Sequence, residues 1–140
     1  MYVALPYQFS ASEIAGLLAK VANLDLAAGP GGTRMSDDTS TRFYLQEALQ
    51  IHPPFRPAWL YASVVAIYPG NQIQSHRDAP IAGRRLHVPL QQNLGCWSFH
   101  DGEWAQLVLG QTYGIDPSLE HGALNWGSTL RLNLLVDVHG

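Results

Sequence analysis

The sequence predicts an α+β fold class, mainly β, and three observations carry it. The 140 residues, 46% of them apolar, fit one domain spanning 1–140. A clear helical period is confined to the N-terminal part, where apolar residues recur every three or four positions. From Ala58 onward, short alternating segments follow one another between Gly, Pro and Asp-Gly breaks. Helices first and strands afterwards put the helices on one sheet of an antiparallel sandwich or barrel. Within the single domain, residues 1–57 are expected to supply helical support and a candidate lid loop, and residues 58–140 the β-barrel core.

In chain order, "YVALPY" (Tyr2–Tyr7) reads as a short strand. "SASEIAGLLAKVANL" follows as a helix capped by Ser10 or Ser12, with Glu13 in its electropositive first turn and Ile14, Leu17, Leu18 and Val21 on one face. Ala28–Asp38, with three glycines and a proline, reads as a loop, and Gly29–Arg34 within it is long enough to close over a site. A second helix is expected over Phe43–Gln50, ending before Pro53 and Pro54. Seven or eight strands then follow, in "AWLYASVVAIYPG", "QIQSHRD", "RRLHVPLQQ", "CWSFHDGE", "WAQLVLG", "TYGIDP", "HGALNWG" and "LRLNLLVDV". Strand alternation puts Arg85, His87 and Pro89 on one face and Leu86, Val88 and Leu90 on the other. Arg131 and Asn133 alternate with Leu130, Leu132 and Leu134 in the same way. The polar faces either meet solvent or line a cavity while the aliphatic faces pack under the helices.

Composition narrows the function classes. A net charge of −3 with a single lysine, Lys20, argues against strong nucleic-acid binding. No apolar run approaches the roughly 20 residues a bilayer span requires, and "MYVALPYQFSASE" lacks the basic lead of a signal peptide. Cys96 stands alone, which excludes an intrachain disulfide and fits a reducing, cytoplasmic setting. Oligomeric state is not legible.

The chemistry-bearing residues cluster in "QSHRDAPIAGRRLHVPL". His76 and Asp78 are two apart and project to one side of an extended chain. His121 can reach them from a neighbouring strand. Two imidazoles and one carboxylate on one face of an ion, with the opposite positions open, form the facial triad of non-haem Fe(II) oxygenases. An isolated H-x-D is more often a turn or a surface pair. His52 and His139 read as structural or exposed, and His100, in the turn-like "FHDGE", as exposed. Trp97, Trp104 and Trp126 read as core more readily than as pocket lining, and Arg84 and Arg77 as solvated.

The ordered text "SHRD", "RRLHVPLQQN" and "HGALNWGSTLRLNLLVD" resembles the aspartyl/asparaginyl β-hydroxylase branch of the Fe(II)/2-oxoglutarate-dependent dioxygenases over about Tyr61 to His139. The resemblance implies a double-stranded β-helix, a jelly-roll or cupin-like barrel with one or two N-terminal helices packed on its major sheet. It implies that His76, Asp78 and His121 hold iron and that Arg131 binds the distal carboxylate of 2-oxoglutarate. Arg85 and His87 would lie near the carboxylate at the metal end, and Asn125 would support the site. Asn93 is a looser match. The implied activity couples O2 and 2-oxoglutarate to hydroxylation of an amino acid, or of an Asp/Asn-like residue in a peptide, releasing succinate and CO2. Two alternatives stay open at this point: a cupin-like metal- or ligand-binding module without turnover, and a purely structural jelly roll.

Overall fold

The computed structural model describes residues 2–22, 32–34, 40–44, 59–79 and 83–139. Strand β1 (Val3–Gln8) leads into helix α1 (Ala11–Ala22). Ser10 rather than Ser12 caps that helix: its Oγ accepts from Glu13 N at 3.1 Å while Glu13 Oε1 accepts from Ser10 N at 3.0 Å. This reciprocal pair satisfies two donors that the first helical turn leaves without partners.

The remaining described elements are strands: β2 (Gly32–Arg34), β3 (Ser40–Tyr44), β4 (Trp59–Ile67), β5 (Asn71–His76), β6 (Gly83–Gln91), β7 (Cys96–His100), β8 (Glu103–Ala105), β9 (Gln111–Ile115), β10 (His121–Asn125) and β11 (Arg131–His139). They form a seven-stranded sheet, β1-β9-β6-β11-β4-β3-β2, and a four-stranded sheet, β5-β10-β7-β8, with antiparallel pairing throughout. These two antiparallel sheets, with α1 packed on the larger, form the double-stranded β-helix that the sequence leads one to expect.

Register decides which side chains share a face. Leu134 pairs with Val88 on one side and Val64 on the other, and Val136 pairs with Leu86. These residues join Ala66, Leu90 and Leu132 under Phe9, Ile14, Leu17 and Val21 in one core cluster. The aliphatic faces therefore pack beneath α1, as expected. By the two-residue period, Arg85, His87, Asn133 and Asp137 are turned to the opposite side, between the sheets.

Several sequence expectations are corrected. Gly32–Arg34 is not loop: it pairs with β3, and the rest of Ala28–Asp38 lies outside the described residues. Phe43 and Tyr44 belong to β3 instead of starting a helix, and residues 45–50 lie outside the described part. The first 57 residues thus extend both edges of the major sheet as well as supplying a helix. Only Trp104 and Ala105 of "WAQLVLG" are in a strand. Trp97, Trp104 and Trp126 are exposed, Trp126 at 71%. His100 is buried, because β7 keeps it opposite His121 before the chain turns at Asp101 and Gly102. Arg84 and Arg77 are exposed as expected. No described helix is long and apolar enough to cross a membrane.

Candidate metal centre

Pairing of β10 with β5 puts His121 directly opposite His76, and the ring centroids lie 4.4 Å apart. A register shift between His121 and Ala123 accompanies this contact. Gly122 sits at the shift, and a Cβ there would stand 2.9 Å from Ile73 O and 3.1 Å from Ser75 N. The local sequence "HGA" therefore lets two strands approach closely where the imidazoles must meet.

Asp78 follows β5 by two residues, its backbone N held by Pro117 O at 2.9 Å. Its Oδ1 lies 3.5 Å from His76 Nε2 and its Oδ2 lies 3.3 Å from His121 Nε2. One ligand atom from each residue falls within 4.8 Å of the others. Imidazole and carboxylate donors sit about 2.0–2.2 Å from a divalent ion, which puts neighbouring donors roughly 3 Å apart. The observed separations match that scale.

The tautomers are set as well. His76 Nδ1 lies 2.7 Å from Gln74 O and His121 Nδ1 lies 2.9 Å from Leu119 O. A carbonyl only accepts, so each Nδ1 carries the proton and each Nε2 lone pair is left for an ion. Burial pushes the His121 pKa down, against the opposing effect of the Leu119 carbonyl, and so favours the neutral ring that metal binding requires.

Arg85 pairs across strands with Asp137, through Nε–Oδ1 at 2.8 Å and Nη2–Oδ2 at 3.2 Å, and extends Nη1 to Asp78 Oδ2 at 2.7 Å. Burial alone would lower its pKa, but the bonds and charges of Asp137 and Asp78 prevail and raise it. Two of its three nitrogens are thus spent on Asp137, and the third orients a candidate metal ligand. Next to it on the same face, His87 has a buried Nε2 with no hydrogen-bond partner among the described residues. Burial, followed by the charge of Arg85, holds the His87 pKa well below the ordinary histidine value, so the ring is neutral.

These residues line one cavity that opens to solvent beside the half-exposed His76 and Asp78. Tyr2, Ser98 and Asn133 also line it, with Val65, Ile67, Ile73 and Leu135 among the apolar wall residues. Arg131 lies behind that lining and is 1% exposed. Its Nη1 donates to Trp97 O at 2.8 Å and Leu124 O at 3.0 Å, and its Nη2 to Ser98 Oγ at 2.6 Å. With its amide turned to suit its neighbours, Asn133 Oδ1 accepts from the same Nη2 at 3.1 Å. All four acceptors are neutral, and among the described residues no carboxylate pairs with Arg131. Burial lowers its pKa, the sign expected for a buried cation without a counter-ion.

Asn125 does not line the cavity. It ties β10 to its surroundings by donating to Ile67 O and Thr129 O and accepting from Asn93 Nδ2 and Gly127 N. Asn93 belongs to this same network.

The structure thus brings His76, Asp78, His121, Arg85 and His87 to one cavity and sets Arg131 just behind its wall. Sequence reasoning already placed Asn133 with Arg131 on one polar face, but missed three contributors: Tyr2, Ser98 and Asp137. Asp137 shares the two-residue period of Arg131, and Ser98 that of His100, so alternation could have found them. Nothing local marks Tyr2.

A family model described as aspartyl/asparaginyl β-hydroxylase matches residues 42–140. Among solved structures, the chain is similar to an oxidoreductase of the 2OG-Fe(II) oxygenase family from Burkholderia pseudomallei, at 12% identity over 97% of this chain and 82% of that one, with a TM-score of 0.67. It is similar to AviO1 from Streptomyces viridochromogenes Tue57, at 13% identity over 99% and 89% respectively, with a TM-score of 0.68. A cupin domain from Bordetella pertussis Tohama I matches at 17% identity over 79% and 96%, with a TM-score of 0.50. At these identities the structural likenesses speak for the fold alone. The family match covers more than two-thirds of the chain, including every candidate ligand, and the chain belongs to the aspartyl/asparaginyl β-hydroxylase family.

Proposed function

We propose that this protein is an Fe(II)- and 2-oxoglutarate-dependent dioxygenase that hydroxylates an amino acid, or an Asp/Asn-like residue in a peptide, with release of succinate and CO2. The observation that carries the reading is the convergence of His76, Asp78 and His121, each imidazole presenting Nε2 with its Nδ1 proton already engaged. The donor set suits iron: two imidazoles and one carboxylate, with the cavity side left open for other ligands. When bound, iron and the 2-oxo acid supply the oxygen activation and oxidative decarboxylation that drive C–H hydroxylation.

The chain's own residues bind and orient. His76, Asp78 and His121 would hold the ion, and Arg85 fixes the Asp78 carboxylate from behind. His87, neutral and with Nε2 unpaired, can donate to the carboxylate at the metal end. At the far end the cationic Arg131 meets only neutral acceptors among the described residues, which suits an incoming carboxylate. Ser98, already accepting from Arg131, keeps its own hydroxyl proton to donate to the same group. The open side beside His76 and Asp78 is where the substrate would approach. The fit to the cytoplasm, suggested by the lone cysteine, belongs to the same reading.

The test is succinate release against pooled amino acids and peptides in the presence of Fe(II), with His121→Ala as the blank. Succinate from the wild type and none from the variant is the expected result. Failure of the wild type to bind 2-oxoglutarate with Fe(II) or Mn(II) present sinks the proposal. Metal binding without oxygen consumption across broad substrate sets would favour the cupin-like binding module.

A further inference from the structure

We infer that Tyr2, which lies outside the family-matched residues 42–140, forms the end wall of the diacid pocket and selects the length of the 2-oxo diacid that binds. The inference rests on the 2-oxoglutarate reading above and adds to it the residue that immediately precedes strand β1.

Three observations place Tyr2 there. Its ring lines the same cavity as the candidate ligands and packs on His87, His100 and Tyr113, with centroid separations of 6.0, 5.5 and 6.2 Å. Tyr113 and the β1–β9 pairing hold the start of β1 against the barrel. Its hydroxyl stands over β7, 3.4 Å from Phe99 O, on the strand whose neighbouring residue Ser98 accepts from Arg131 through its Oγ. A contact of 3.4 Å is a long bond for an O–H donor, so the phenol proton has more to gain from a carboxylate. Tyr2, Ser98 and Arg131 thus form one donor group from three parts of the chain.

Register supplies the distance. His121 stands opposite His100, and Ala123 opposite Ser98, so the metal end and the Ser98 level are two residues apart along paired strands. That is roughly 6.8 Å of strand rise. An extended five-carbon diacid reaches about 5 Å between its terminal carbons, and its carboxylate oxygens carry it across roughly the rest of that span. A six-carbon homologue would press on the Tyr2 ring, and a four-carbon one would fall short of its hydroxyl.

The experiment titrates Mn(II)-loaded protein with 2-oxoglutarate and with 2-oxoadipate by calorimetry, for the wild type, Tyr2→Phe and Tyr2→Ala. The wild type should prefer the five-carbon acid. Tyr2→Phe keeps the wall and loses the hydroxyl, so 2-oxoglutarate should bind roughly five- to tenfold more weakly with the preference retained. Tyr2→Ala opens the wall, and the six-carbon to five-carbon affinity ratio should rise by about tenfold or more. A uniform structural loss would lower both affinities and leave their ratio unchanged. Wild-type binding of 2-oxoglutarate with an unaltered ratio in Tyr2→Ala and unaltered affinity in Tyr2→Phe overturns this inference alone. Absence of any diacid binding to the wild type overturns the function proposal and the inference with it.

Discussion

At the scale of single residues, Arg85 shows how a partner can reassign a side chain. The family resemblance implies a place near the cosubstrate carboxylate at the metal end, and Arg85 does hold a carboxylate there, but it is Asp78 of the protein itself. Its hold on that ligand depends on Asp137, its cross-strand partner 52 residues away. Replacing Arg85 by Met should lower Mn(II) affinity about 10- to 100-fold, the usual effect of losing a group that orients a metal ligand. Calorimetric titration checks it, and unchanged affinity would show that Asp78 is held in place by other means. The candidate ligands were legible because H-x-D and the distal His carry ligand chemistry in their identities. The burial of His100 was not, since "FHDGE" does turn and the residue that confines His100 comes from β10. The tryptophans misled for the converse reason: large rings suggest core, but Trp97, Trp104 and Trp126 fall where no described element covers them fully.

At the scale of elements, alternation between Gly, Pro and Asp-Gly breaks was enough to find most strands from Trp59 onward, and it is plainest in β6 and β11, each with one aliphatic face and one polar face. It could not find β2 and β3, whose short segments depend on pairing with each other and with β4. Nor does alternation reveal which face meets solvent. That follows from the order β9-β6-β11-β4 and from α1 lying on one side of it. The sharpest element-level dependence is at the β5–β10 register shift. A methyl group at Gly122 would press on the β5 backbone, which cannot yield as a flexible side chain would. Gly122→Ala should therefore separate His76 from His121 and weaken Mn(II) binding by at least about tenfold, while most of the major sheet is retained. Metal titration combined with circular dichroism checks this, and a variant that binds Mn(II) normally would show that β5 can shift without disturbing the ligands.

At the scale of the whole molecule, the site is a net liability for the metal-free fold in acid. His87 and His121 both have pKa values lowered by burial, so the unfolded chain binds protons that the folded chain refuses. Their full contribution to stability is present above the ordinary histidine pKa near 6.5 and is lost as pH falls from there towards the folded-state values. Each such group can remove up to about 1.4 kcal/mol per pH unit within that window. Urea midpoints of the metal-free protein at pH 8, 7, 6 and 5 should fall towards acid, and His87→Gln should flatten the decline; midpoints that rise towards acid would refute the assignment. The placement of the imidazoles has one more effect. His76 ends β5, the outermost ribbon of the smaller sheet, and His121 begins the ribbon beside it. An ion gripped by both would rivet a free edge to its neighbour, so amide hydrogens along β5 should exchange more slowly once metal is added, while those beneath the helix stay as they were.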